Sequence, residues 1–288
     1  METTFFDSAT DFLAIVRPSL EQDEAANNLM LGLALRLVAN PGRYQGGRYR
    51  WPPLLAAVTE AGSLAAAALM TPPFKIIVYC PQPQPETALS GLVNLLHQKG
   101  IEIPGALGPS QAALTFARLW AQQSGHPWRA GMSERVYELR QVIPPPQPPG
   151  AMRLATAEDV ELAARWMFEF WEEAVPQEKS TLEVARQEAR YKILERDFYL
   201  WHDGEAVALA GRNRPTPHGW CIGPVYTPLA FRQRGYATAL TAALSQRLLD
   251  GGSQFTALFT NLANPISNSI YQKIGYRPVC DFNEYLFG

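Results

Sequence analysis

The sequence predicts a mixed α/β chain in which one arrangement of strands and helices is used twice. Three observations carry this expectation. Amphipathic helices alternate with short apolar strands over most of the chain. A proline-rich spacer, "VIPPPQPPGAM", parts the chain near its middle; five prolines between Pro144 and Pro149 disfavour helix and central strand, so the spacer is extended. The order of elements after the spacer then repeats, more tightly, the order before it.

Before the spacer, "FKIIVYC" reads as a strand and "ETALSGLVNLLHQKG" as a helix ending at Gly100. "PSQAALTFARLWAQQSG" is a second helix ending at Gly125, and "RVYELRQV" is a closing strand. After the spacer, Thr156 followed three residues later by Asp159 is an N-cap signal, and Val160, Ala164, Met167, Phe168 and Trp171 recur at helical spacing. "FYLWHDGEAVALAG" places two apolar runs around Asp203-Gly204, a hairpin signal. "GWCIGPVYTP" is a strand closed by Pro228. "ATALTAALSQRLLDGG" is a helix with Leu240, Ala243, Leu244 and Leu248 on one face and Gly251 past its end. "FTALFTN" is a strand, "NPISNSIYQKIG" a short helix ended by Gly275, and "YRPVCDFNEYLF" one or two closing strands. These signals divide the chain into residues 1–142, a linker at 143–151, and residues 152–288.

Composition excludes several classes. With 288 residues, 47% hydrophobic and 18% charged, the chain can bury a sizeable core. A formal net charge of −2 gives no overall attraction to nucleic acid or acidic membranes, and no basic stripe with interleaved aromatics points to RNA. Cys80, Cys221 and Cys280 lack metal-site or disulfide spacing and read as reduced core thiols. His97, His126 and His202 show no ligand spacing, so no metal is expected. "METTFFDSATDF" lacks the basic flank and apolar run of a signal peptide, and "AGSLAAAALM" is too short to span a bilayer. A cytoplasmic protein without membrane or nucleic-acid partners is the expectation; oligomeric state is not legible.

The stretch "VYTPLAFRQRGYATAL" places two arginines and a glycine in the bend between a strand and a helix. A helix N-terminus leaves its first amides without partners and carries roughly half a positive charge, which makes an anion site. Gly235 and Ala237 allow close approach to the backbone, and Arg232 and Arg234 add charge. Each charge-assisted bond contributes ~1.5–3 kcal/mol, enough in combination to anchor a diphosphate. The alternative is a surface turn with solvated arginines. The bend is neither a Walker loop nor the G-x-G-x-x-G of a dinucleotide fold. The corresponding turn before the spacer, "PQPQPE", has neither arginine nor glycine.

The pattern [Q/R]-x-x-G-x-[G/A] at Arg232 to Ala237 resembles motif A of the GCN5-related N-acetyltransferases, the GNAT superfamily. "NPISNSIYQKIGY" resembles that superfamily's motif B. The two occur in order over Val225 to Tyr276; the first half is similar only in element order, as a degenerate copy. The resemblance implies two GNAT-like domains, each a mixed, mostly antiparallel sheet flanked by helices, with the cofactor site in the second. It implies that Val225, Tyr226 and Thr227 pair with the pantetheine arm of acetyl-CoA. Gln233, Arg234, Gly235, Tyr236 and Ala237 then give backbone N–H groups to the pyrophosphate, with Arg232 opening the motif and Thr238 adding a hydroxyl. Asn264 matches the residue that contacts the pantetheine arm; Asn268 either assists it or caps and packs the helix.

The chemistry implied is attack of an amine on a thioester. A backbone N–H on the strand stabilises the oxyanion, and a thiol of pKa about 8.5 leaves more easily if protonated as it departs. Tyr271 lies seven residues after Asn264, so both can face one cleft; the resemblance gives Tyr271 the role of general acid, the alternative being a core aromatic. The base is not legible: Glu169, Glu172 and Glu173 are candidates because the first helices wall the acceptor site in this superfamily, and His218 precedes the cofactor strand. Trp171 and Trp220 line the acceptor pocket or pack the core. The expected function is acetyl transfer from acetyl-CoA to the primary amine of a small molecule or peptide. The alternative is an acyl-CoA-binding sensor without turnover.

Overall fold

The strands of both halves join in one sheet. The computed structural model describes residues 1–44, 51–81, 85–175 and 180–288, and all element ranges refer to these. The first half runs β1 (Glu2–Phe5), α1 (Ala9–Leu20), α2 (Asn28–Ala39), β2 (Leu54–Glu60), β3 (Ser63–Met70), β4 (Ile76–Tyr79), α3 (Glu86–Gln98), β5 (Gly105–Pro109), α4 (Ser110–Ser124) and β6 (Trp128–Leu139). The second runs β7 (Ala151–Leu154), α5 (Val160–Ala174), α6 (Leu182–Leu194), β8 (Phe198–Asp203), β9 (Glu205–Pro215), β10 (Gly219–Tyr226), α7 (Tyr236–Asp250), β11 (Phe255–Asn261), α8 (Pro265–Lys273) and β12 (Arg277–Phe287). The mixed α/β class and the repeated order agree with the sequence. So do the Thr156–Asp159 capping box, the β8–β9 hairpin turning at Gly204 (φ +71°), and the buried face of α7. Residues 82–84 of the first half's "PQPQPE" turn lie outside the described residues.

The strand order is β1-β2-β3-β4-β5-β12-β6-β11-β10-β9-β8-β7. Exchanging each strand for the one six places away and reversing the list returns the same order, so the two halves are related by a pseudo-twofold between β12 and β6. The closing strand of each half has crossed over. β6 pairs antiparallel with β11 of the second half, β12 pairs antiparallel with β5 of the first, and β6 and β12 pair with each other. Most pairings are antiparallel; β4–β5 and β10–β11 are parallel.

Helices cover both faces. In the first half α3 and α4 pack on one face around Leu92 and Phe116, and α1 and α2 on the other around Phe12 and Leu31. In the second half α5 and α6 pack on one face around Met167 and Phe198, and α7 on the other around Leu240 and Leu244. The seam between the halves is polar as well as apolar. Arg135 on β6 forks onto Asp281 on β12 at 2.6 and 3.1 Å. The guanidinium of Arg36 on α2 donates to Asn213 Oδ1 at 3.0 Å, and Gly32 one turn earlier lets α2 lie against Arg214 of β9, where a Cβ would meet the Arg214 Cβ at 2.7 Å. The proline-rich linker is extended and tied to the second half: the Ile143 amide donates to the Ile274 carbonyl at 2.9 Å, and Trp201 Nε1 donates to the Pro149 carbonyl at 2.8 Å.

Without β6, the second half would present β11 as a bare edge along six paired positions, Thr256 to Asn261. Residues 143–288 expressed alone are therefore expected to aggregate or melt without a cooperative transition, and co-expression with residues 1–142 is expected to restore one. A cooperative melt of the isolated second half at the midpoint of the whole chain would show that the exchange contributes nothing to stability.

Candidate active site

Parallel strands β10 and β11 pair over only three positions, Gly219 to Cys221 against Phe255 to Ala257. Beyond these, β10 stays with β9 and β11 stays with β6. The register of β10 on β9 shifts between Ile222 and Val225, and Pro224 has no N–H to give a neighbour. The strands thus part, and the edge from Val225 to Thr227 faces a gap rather than a strand. The hydroxyl of Thr227 at the end of this edge is buried and has no hydrogen-bond partner among the described residues. In the first half the matching strands β4 and β5 pair over two positions, and just past them Gly108 lies so close to β4 that a Cβ would stand 2.3 Å from the Val78 carbonyl oxygen.

The gap ends at the bend singled out in the sequence. Leu229–Phe231 form one turn of 3-10 helix, Gln233 takes φ +64°, and Gly235 takes φ +83° as the residue that opens α7. The first carbonyl used inside the helix is that of Gly235, which accepts from Ala239 at 2.9 Å. Among the described residues, the amides from Gln233 to Thr238 have no acceptor in the protein. A Cβ built on Gly235 meets nothing within 4 Å, so its outer side is open. Free amides, an open cradle and an orphaned buried hydroxyl beside an unpaired strand edge fit a ligand with an anionic head and an amide-bearing arm.

The two arginines are used differently. Arg232 Nε donates to the Thr227 carbonyl at 2.8 Å, its guanidinium forks onto Glu173 at 2.7 and 2.9 Å, and it lies over the Tyr226 ring. It ties the bend to α5. Arg234 is exposed and lies over Phe231, on the side of the free amides. Tyr236 anchors the start of α7 by donating to Asp203 Oδ2 at 2.6 Å, and this bond raises the pKa of its phenol.

Three of the acidic candidates separate. Tyr226 donates its hydroxyl toward Glu169 Oε2 at 3.0 Å and Glu173 Oε1 at 3.2 Å, and burial together with these carboxylates pushes its pKa up. Glu169 is half-buried beside the strand edge; Glu173 is committed to Arg232 as well; Glu172 is exposed. His218 sits at the far end of β10, where Nδ1 and Glu24 Oε2 are 2.8 Å apart, and so belongs to the seam. Trp171 packs in the α5–α6 core, and Trp220 carries Arg212 stacked at 4.3 Å.

Helix α8 closes the other side of the gap. Asn264 caps it, its side chain accepting from the Ser267 amide at 3.1 Å, which leaves Asn264 Nδ2 without a protein partner among the described residues. Asn268 Nδ2 donates to the carbonyls of Asn261 at 3.0 Å and Asn264 at 2.7 Å, and its Oδ1 accepts from Tyr137 Oη at 3.0 Å. Tyr271 lies edge-on to Tyr276, with centroids 6.0 Å apart. Burial pushes the Tyr271 phenol up to about 12, and its hydroxyl has no hydrogen-bond partner among the described residues. By contrast the Tyr276 hydroxyl is shared with Ser245 and Thr256 at 2.9 and 2.8 Å. Tyr137, Gln272 and Asp203 support this site and carry no signal in the sequence, because Tyr137 and its partners lie more than 130 residues apart. Two other clefts lie away from this site. One of about 1150 Å³ lies in the first half among Phe5, Phe74 and Trp120; one of about 730 Å³ lies between Arg212, Trp220 and Arg247.

Residues 202–286 match the model of the family described as FR47-like protein. A comparison with curated proteins finds no match. Among solved structures, a Drosophila protein is similar over 99% of this chain and 98% of its own, with a TM-score of 0.71 and 14% identity. A GCN5-related N-acetyltransferase from Sphaerobacter thermophilus is similar over 98% and 94%, with a TM-score of 0.62 and 19% identity. A tandem GNAT protein from the clavulanic acid biosynthesis pathway is similar over 99% and 98%, with a TM-score of 0.59 and 12% identity. The chain has the tandem GNAT fold. Among the described residues, no helix is long and apolar enough to cross a membrane.

The Tyr271 and Tyr276 phenols make stability depend on alkaline pH. Tyr271 and Tyr276 hold their protons more tightly folded than unfolded, where release begins near pH 10. Above pH 10 the unfolded chain binds fewer protons than the folded one, so stability falls as pH rises, through about pH 12 for Tyr271. The midpoint of thermal melting is expected to drop between about pH 9.5 and about pH 11.5, with a slope that Tyr271→Phe makes shallower. An unchanged slope would mean that Tyr271 titrates as an exposed phenol.

Proposed function

We propose that this chain is an N-acetyltransferase that moves the acetyl group of acetyl-CoA to a primary amine of a small molecule or peptide by direct attack. The observation that carries this reading is that the gap left where β10 and β11 part runs to a bend with six free amides, Gln233 to Thr238. The edge from Val225 to Thr227 offers backbone groups to the pantetheine arm, and the amides of Gln233, Arg234, Gly235, Tyr236 and Ala237 receive the pyrophosphate. Arg234 and the Thr238 hydroxyl adjoin them, Asn264 Nδ2 faces the arm from α8, and Arg232 and Asn268 hold the bend and the helix in place. Residues 152–288 carry these groups, residues 1–142 are a degenerate copy, and residues 143–151 connect them.

The residues then divide the work. An alkyl amine is almost fully protonated at neutral pH, so a base must take a proton before attack. Glu169, beside Tyr226 and not committed to an arginine, is placed to accept it, directly or through a water. A strand N–H stabilises the oxyanion. Tyr271, protonated throughout the neutral range and without another acceptor, hands its proton to the departing thiolate. A binding-only sensor would have no use for a partnerless phenol at this position, which is what favours catalysis over that alternative.

Gly235→Val should weaken acetyl-CoA binding about 10- to 100-fold, the loss of one or two charge-assisted bonds, with the fold retained; unchanged affinity by calorimetry would remove the bend from the site. Tyr271→Phe should lower kcat by about 10²-fold or more while binding changes little, and Glu169→Gln should lower kcat/KM for the amine by a similar factor. Thiol release is the assay, run against a panel of amines. Tight binding of acetyl-CoA with no thiol released under any amine would establish the sensor instead.

A further inference from the structure

We infer that Tyr137, on β6 of the first half, is a positioning residue for the transfer site, because its buried hydroxyl holds α8 in register with the gap between β10 and β11. The inference rests on the acetyl-transfer reading for its effect on turnover, and on geometry alone for its effect on α8.

Helix α8 is nine residues long and none of its side chains is fully buried. Its own polar contacts are mostly local. The Asn264 cap and the two bonds donated by Asn268 Nδ2 all close within residues 261–268. The helix is tied to the sheet by the Asn268 bond to the Asn261 carbonyl at the end of β11, by the Tyr271 ring against Tyr276, and by one phenol. Tyr137 Oη donates to Asn268 Oδ1 at 3.0 Å and accepts from Gln272 Nε2 at 3.0 Å. Asn268 and Gln272 are one turn apart on the same face and bracket Tyr271 in sequence. Tyr137 itself is 1% exposed, sits opposite Leu258 of β11, and packs in the cluster that holds Ile274 and Tyr276. The ring is therefore fixed by the sheet, and the hydroxyl transmits that fixed position to α8.

The consequence concerns the first half. Its strand-to-helix turn has neither the arginines nor the glycine of the second half's bend, yet it supplies the strand beside β11 and the hydroxyl that aims Tyr271. The site is thus built by both halves through the exchange of β6.

Tyr137→Phe keeps the ring and removes both bonds. In the whole chain it should lower kcat about 10-fold while the Kd for acetyl-CoA and the KM for the amine stay within about 3-fold, a split that general unfolding would not give. Amide hydrogen exchange should quicken about 10-fold in residues 264–274 and stay unchanged in 236–250. Gln272→Leu removes one of the two bonds and should give a smaller change in the same residues, and the double variant should match Tyr137→Phe alone, which already lacks both bonds. The inference is overturned if exchange in 264–274 is unchanged, if it quickens equally across α7, if the two substitutions add, or if kcat keeps its parent value while α8 loosens. Should the parent chain neither bind acetyl-CoA nor release thiol, the proposed function fails on its own terms, and the exchange comparison still decides whether Tyr137 holds α8.

Discussion

A strand that leaves its neighbour gives up a row of backbone hydrogen bonds, and the free energy of that loss governs how this molecule is built. β10 and β11 share three paired positions and then separate. Each buried amide or carbonyl left unpaired along the gap costs about 1–3 kcal/mol unless water or a ligand satisfies it. The surrounding structure holds the strands apart despite this cost. The register shift in β10 and the missing N–H of Pro224 prevent re-pairing from one side. Pairing of β11 with β6 holds it from the other. Arg232 bridges the Thr227 carbonyl to Glu173 and fixes the far end of the opened edge to α5. The gap is a supported feature with its own framework.

The exchange of closing strands explains why a half without the cofactor geometry is part of such a framework. A parted sheet needs a rigid partner on its outer side, and a lone terminal strand is prone to fraying. Here β6 and β12 each lie between two strands, so neither is an edge. The Arg135–Asp281 fork locks their mutual register at the pseudo-twofold. Comparing the copies shows what the first half lacks. Pro109 stands where Asn264 caps the last helix, and seven residues on, Phe116 stands where Tyr271 does, fully buried and without a hydroxyl. With Gly108 drawn against Val78, the first half keeps the fold and closes the site.

Much of this was legible in the sequence where the signal is local. The Thr156–Asp159 cap, the Asp203-Gly204 turn, the apolar face of α7 and the bend at Arg232–Ala237 each depend on residues within a turn or two of one another, and periodicity or turn chemistry exposes them. The β2–β3 hairpin is not legible because alanine-rich runs such as "SLAAAALM" satisfy helix and strand patterns equally well. The exchange of β6 and β12 was not legible at all. "RVYELRQV" and "NEYLF" alternate as strands should, but alternation says nothing about which strand lies alongside. For the same reason Tyr137 was invisible: its role is defined by Asn268 and Gln272, and only the fold brings them together.

The fate of the two arginines shows how a motif and its mechanism can differ. Residue chemistry alone suggests that Arg232 and Arg234 attract the phosphates by charge. In the structure Arg232 is neutralised by Glu173 and serves the architecture, and Arg234 lies exposed over Phe231. The positive potential at the bend therefore comes chiefly from the aligned peptides of α7 and the unpaired amides from Gln233 to Thr238. That source is fixed by backbone geometry, chiefly the left-handed conformations at Gln233 and Gly235, and not by any one charged side chain. A site of this kind is screened by salt less than a cluster of exposed side chains, because its dipoles act at hydrogen-bonding distance. The first half's "PQPQPE" has no such glycine. The anion-binding character of the bend thus follows from the path of the chain, which in turn depends on the strands being held apart.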